Sequence, residues 1–154
     1  RNVQIIGWVA LIFGILLYVS DKFNLDKKVD NDFTYKTAII IGLFQIASLI
    51  PGVSRSGITI TSGRFLNFSR FDSSKISFYL SIPALTGASC LGLKDIWNGG
   101  IELNNLILFS IFFSFIFSYF TIKFFLLYVK NFSLNYFVYY RIFLALILFT
   151  IIYS

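Results

Sequence analysis

The sequence predicts an all-α integral membrane protein with about four transmembrane helices and one re-entrant helix-loop-helix hairpin. Three observations lead there. Of 154 residues, 57% are hydrophobic and only 13% charged, with a mean hydropathy of +0.80, a balance that water-soluble domains do not show. Several apolar runs reach the roughly 20 helical residues needed to cross ~30 Å of hydrocarbon. One apolar stretch, residues 37–66, is interrupted by a polar heptapeptide, Pro51-Gly52-Val53-Ser54-Arg55-Ser56-Gly57.

In chain order, residues 3–20 form the first span. The 20–36 linker mixes Lys and Asp without apolar periodicity and reads as a solvated connection with no chemistry of its own. Residues 37–66 cannot cross as two spans: the 14 residues before Pro51 reach only about 21 Å at ~1.5 Å per residue, and the piece after Gly57 is shorter. A hairpin that dips in, turns at the loop and leaves on its own side satisfies both lengths. Non-helical backbone at membrane depth must then line a protein-enclosed or wet cavity. Residues 74–93 form a span kinked near Pro83, because proline removes one helical hydrogen bond. Asn98-Gly99-Gly100 marks a turn, and residues 105–128 and 136–153 are the remaining spans. On the former, Ser110, Ser114 and Ser118 share one face and are expected to pack closely on a neighbouring helix. The chain thus reads as a single membrane domain over 1–154.

The formal net charge is +6, but the basic residues stand at the ends of apolar segments rather than along an exposed helix face, which excludes a nucleic-acid partner. They are orientation signals. Lys22, Lys27, Lys28, Lys36, Arg64, Arg70, Lys75, Lys123, Lys130 and Arg141 all fall on one side of the predicted topology, the cytoplasmic one, with Arg1 and Lys94 opposite. Arg64 and Arg70 are accordingly expected at lipid headgroups. The single Cys90 provides no disulfide and is expected to be a small packing residue, and with no His in the chain imidazole chemistry is excluded within it.

The loop holds the candidate chemistry. Gly52 and Gly57 let backbone turn sharply and approach a ligand, and Pro51 stops the incoming half-helix. Ser54, Ser56 and Thr59 supply hydroxyls, and a helix beginning near Gly57 would aim free N–H groups and its positive end into the loop. Arg55 adds a permanently charged fork suited to phosphate oxygens. Each of these groups favours an oxyanion.

The run PGVSRSGITI, with GLFQIASLI upstream and SFYLSIPALTGA downstream, resembles the C-terminal half of the bacterial undecaprenyl-pyrophosphate phosphatase (bacitracin-resistance) family. The resemblance implies a multi-pass enzyme of the bacterial plasma membrane that hydrolyses a C55 lipid pyrophosphate to the monophosphate, recycling the carrier for cell-wall peptidoglycan synthesis. Its active site would open toward the outer face. It also implies half of an inverted-repeat architecture, a divalent metal (Mg or Ca), and a possible homodimer. The other half of the family's site, an E-x-x-x-E motif and a P-V-S-S-x-x-H-like loop, has no counterpart here: the only Glu is Glu102, and no Asp falls in the predicted cavity. The chain is therefore expected to be the C-terminal portion of a longer protein, a missing N-terminal half carrying the acidic motif and any metal ligands. By resemblance Arg55 is the catalytic arginine on the pyrophosphate, Gly52, Ser54, Ser56, Gly57 and Thr59 form the substrate-binding loop over residues 51–59, and Gln45 supports it. From the residues alone, a polyprenyl-phosphate flippase or transporter, or an inactive fragment, stays open.

Overall fold

The computed structural model describes residues 3–23, 25–97 and 104–153; the Asn98-Gly99-Gly100 turn and Glu102 lie outside them. In these apolar segments a helix is the way to satisfy every backbone group internally. The described residues form α1 (Val3–Asp21), α2 (Val29–Asp32), α3 (Tyr35–Ile46), a 3₁₀ turn (Ala47–Leu49), α4 (Arg55–Phe65), α5 (Arg70–Trp97), α6 (Asn105–Asn131) and α7 (Asn135–Tyr153). Four stretches, Val3–Asp21, Arg70–Lys94, Asn105–Asn131 and Asn135–Ile152, are long and apolar enough to cross a membrane. The Tyr35–Leu49 stretch is apolar but shorter. Side chains set several starts: Thr34 caps α3 by accepting from the Thr37 N–H, and Asn104 caps α6 by accepting from the Ile107 N–H. α5 runs on through Pro83.

α1 packs along α7, where Gly7 faces the Phe149 ring and Gly14 faces the stem of Arg141. α4 packs against α1, α3 and α5. It is a polar helix in a buried position, with every residue from Gly57 to Arg64 buried. Its hydroxyls tolerate this because they bond backward to its own carbonyls, Thr61 to Gly57 O at 2.8 Å and Ser62 to Thr59 O at 2.8 Å. Leu17, Ile60, Val129, Leu134 and Val138 form one core cluster, and Ile41, Phe68 and Ile76 another.

The hairpin of α3 and α4 is closed at its open end. Lys27 N–H donates to Asn67 O (3.2 Å) and Ser69 N–H donates to Lys27 O (3.1 Å), so the chain leading into the hairpin lies beside the chain leaving it. α4 ends in a Schellman arrangement, with Phe68 N–H on Gly63 O, Asn67 N–H on Arg64 O and Asn67 at φ 73°. The buried Phe68 ring then anchors that turn.

The structure corrects four expectations, the first two at this same end. Asp21, at the mouth of the linker read as solvated, is 3% exposed and organises the end of the bundle. Arg70 Nε donates to its Oδ1 at 2.6 Å, Arg64 Nε lies 3.7 Å from the same oxygen, and the Leu134 N–H donates to Oδ2 at 3.0 Å. Arg64 also donates to the carbonyls of Phe23 and Phe68. Arg64 is therefore 2% exposed and Arg70 is tied inward to Asp21 rather than reaching out as a headgroup ligand, because a buried carboxylate left without a partner charge is costly. Ser110, Ser114 and Ser118 are exposed along a surface groove of α6 instead of packed on a helix, and Ser110 satisfies its hydroxyl on Leu106 O. Cys90 is exposed too, so it fills no core position.

Candidate functional site

The polar break between α3 and α4 folds as its residues dictate. Ile50 is extended ahead of the proline, Pro51 and Gly52 occupy the centre of a turn, and Val53 N–H donates back to Ile50 O at 3.1 Å. With Gly52 at φ +98°, this is a type II arrangement, which asks for Pro then Gly. Gly52 also sits on α1: an added Cβ would stand 3.2 Å from both Cα and O of Ile6. Gly52→Ala combines a strained dihedral with contact against backbone and is expected to destabilise the protein by about 1–3 kcal/mol. Denaturant titration in micelles checks this, and an unchanged midpoint would refute it.

Ser54 is the N-cap of α4, its Oγ accepting the Gly57 N–H at 3.2 Å and lying 3.2 Å from Ser56 Oγ. The N–H groups of Arg55 and Ser56, in the first turn, have no intrahelical acceptor and point out of the helix start with its positive dipole end. Gly52, Ser54, Ser56 and Gly57 share one wall of a cavity of about 340 Å³. That is four of the six residues predicted for catalysis and substrate binding.

The other two face elsewhere. Arg55 is half-buried at the start of α4 and turns toward α5, where Nη1 donates to Ser81 O at 3.5 Å, the limit of a hydrogen bond. Thr59 is 1% exposed and spends its hydroxyl on the α4–α5 contact, bonded to Ser77 Oγ at 2.6 Å and to Arg55 O at 2.9 Å. It holds the loop's helix in place. Gln45 has a buried Oε1 with no hydrogen-bond partner among the described residues, so that atom does not brace the loop.

One residue of the cavity was not among those singled out from the sequence. Arg141, counted with the cytoplasmic flanks, lies inside α7 and lines the same cavity. Its guanidinium fills the space beside Gly57: a Cβ there would be 2.4 Å from Nη2. The cavity wall offers hydroxyls and a cation but no carboxylate, and among the described residues no group of three or more Asp, Glu, Cys or His comes together. Mg and Ca favour carboxylate-rich oxygen sites, so these residues do not by themselves fit a divalent ion.

One family profile, bacitracin resistance protein BacA, matches residues 1–147 of the chain that carries this turn, capped helix and cavity. The chain belongs to the BacA family. Undecaprenyl-diphosphatase of Pelagibacter ubique is 60% identical over 111 residues, covering 72% of this chain and 43% of the relative. That of Elusimicrobium minutum is 48% identical over 96 residues, 62% of this chain and 36% of the relative. Undecaprenyl-diphosphatase 3 of Bacillus cereus is 42% identical over 97 residues, 63% and 38% respectively. In each case the matched part spans less than half the relative's length. Four apolar helices and this BacA membership make the chain a multi-pass membrane protein.

Proposed function

We propose that this chain supplies the phosphate-binding part of a lipid pyrophosphate phosphatase, acting on undecaprenyl pyrophosphate in the bacterial plasma membrane. The observation that carries the reading is the loop: a turn that delivers the N-terminus of α4, with two serine hydroxyls, into a cavity within an apolar bundle. Hydrolysis of a phosphoanhydride demands little covalent help beyond holding the reacting groups in line and neutralising oxygen charge. Backbone N–H groups and Ser54 and Ser56 hydroxyls would hold the phosphoryl oxygens. Arg55, on the same helix start, would swing from its weak Ser81 contact to stabilise the charge that develops on the leaving phosphate. Water activation is assigned to groups outside this chain, as are any metal ligands.

The hairpin is read as re-entrant. Its open end is tied to the end of the bundle that gathers Asp21, Lys27 and Arg70, while its tip rests on Ile6. Ile6 stands fifteen residues before Asp21 along α1, a rise of about 22 Å. With the basic end cytoplasmic, the tip lies toward the outer side, which supports a site opening there.

The test uses the full-length protein in liposomes loaded with undecaprenyl pyrophosphate. Inorganic phosphate should accumulate with one lipid monophosphate formed per phosphate released. Movement of the intact lipid across the bilayer without phosphate release would replace this reading with a transporter, which the names of the relatives do not favour.

A further inference from the structure

Arg141 is the residue on which the structure and the charge count disagree most. It stands six positions after Asn135 at the start of α7, a depth of about 9 Å, which is too far in for a residue that marks a helix end. Its stem rests on α1, 3.4 Å from where a Cβ of Gly14 would stand, and its guanidinium lies against Gly57. Among the described residues it makes no ion pair and no hydrogen bond: Asp21 is taken by Arg64 and Arg70, and Asp30 by Lys75. Most of the cavity around it is apolar, with Ala10, Phe125 and Leu144 among its walls, and the hydroxyl-bearing residues that share that lining are Ser54, Ser56 and Tyr140. A guanidinium at membrane depth with no counter-ion is costly unless an anion or water meets it.

The two arginines also stand on different sides of one helix start. Arg55 turns toward Ser81 on α5, and Arg141 approaches Gly57 from α7. A monophosphate presents one cluster of anionic oxygens; a diphosphate presents two, joined by a bridging oxygen. Resting on the phosphatase reading above, we propose that Arg141 is a specificity-determining residue. It binds the second phosphoryl group of the diphosphate on the Ser54 and Ser56 side of α4 and makes the site prefer diphosphate over monophosphate. Gly57 has the complementary role, because only a residue without a side chain leaves the guanidinium its place.

Binding to the purified chain in lipid nanodiscs, with inorganic pyrophosphate and inorganic phosphate as probes, tests this without turnover. The parent should bind pyrophosphate at least about tenfold more tightly than phosphate, the scale of one added charged hydrogen bond. Arg141→Gln should erase most of that preference by weakening pyrophosphate while leaving phosphate within about twofold. Arg141→Lys, which keeps the charge and guards against a folding defect, should lie between because an ammonium cannot reproduce the fork. Gly57→Ala should mimic Arg141→Gln and, combined with it, should add little, since both act through the same guanidinium. Arg55→Gln should weaken both probes. If Arg55→Gln weakens binding but Arg141→Gln and Arg141→Lys leave the pyrophosphate preference intact, the Arg141 proposal is overturned and the loop reading stands. If the parent binds neither probe, the loop reading itself falls, and the proposal with it.

Discussion

Arg55→Ala in the full-length protein is expected to lower kcat for lipid pyrophosphate hydrolysis by about 10³–10⁵, the range found when a transition-state arginine is removed from phosphoryl-transfer enzymes. The same change should barely move the unfolding midpoint. Arg55 is half-buried, and its side chain contributes only a 3.5 Å contact with Ser81 O. The fold is held elsewhere, by Ser54 capping α4 and by Thr59 bonding Ser77 across to α5. A guanidinium so weakly engaged in its own protein is free to serve a ligand. Arg55→Lys should recover little of the rate, because a point charge cannot meet two phosphoryl oxygens at once. Phosphate release and thermal unfolding measured on the same preparation separate the two effects. Activity retained within tenfold, or a collapse of stability equal to the loss of rate, would remove Arg55 from the chemistry.

How much of this was legible depends on how local the cause is. The spans and the hairpin follow from run length and from a Pro-Gly break, which a sequence displays directly, and the structure places helices at Val3–Asp21, Asn105–Asn131 and Asn135–Tyr153. The serine cap is equally local, since Ser54 and Gly57 are three residues apart. Thr59 is different. Its place in the loop run suggested a ligand, but helical geometry turns it toward Ser77 on α5. Asp21 was hidden by composition: it stands beside a linker of mixed Lys and Asp, while its partners are Arg64, Arg70 and Leu134, far along the chain. Arg141 was visible in principle. It is a charged residue inside an apolar span, which by itself marks a functional candidate, but counting it with the helix ends concealed its depth. The serine row of α6 shows the opposite error, because a small-residue face predicts close packing only if a second helix comes to it, and the row stays exposed.

Asp21→Ala is expected to destabilise the protein by about 3–5 kcal/mol, the cost of breaking a buried ion pair from one side. The carboxylate is 3% exposed and joins four elements: its own helix α1, Arg64 on α4, Arg70 on α5, and the α6–α7 connection through the Leu134 N–H. Removing it strands Arg64, which is 2% exposed and whose Nε has no hydrogen-bond partner even in the parent. Arg70, with its side chain 32% exposed, can turn to water, so Arg64 should bear most of the penalty. Asp21→Asn keeps an acceptor for Leu134 but no charge for either arginine, and its cost should fall between parent and Ala. The asymmetry provides the sharper test. If the loss comes from an unpaired buried cation rather than from lost packing, Arg64→Met added to Asp21→Ala should recover stability, because an apolar side chain of similar length needs no counter-ion. Denaturant unfolding in micelles measures the parent and all three variants. A double variant no more stable than Asp21→Ala would show that Arg64's carbonyl bonds to Phe23 and Phe68 outweigh its pairing with Asp21. The recovered double variant should nevertheless keep the loop reading testable, since Asp21 and Arg64 lie at the far end of α4 from Arg55 and touch neither the turn at Gly52 nor the cavity at Gly57.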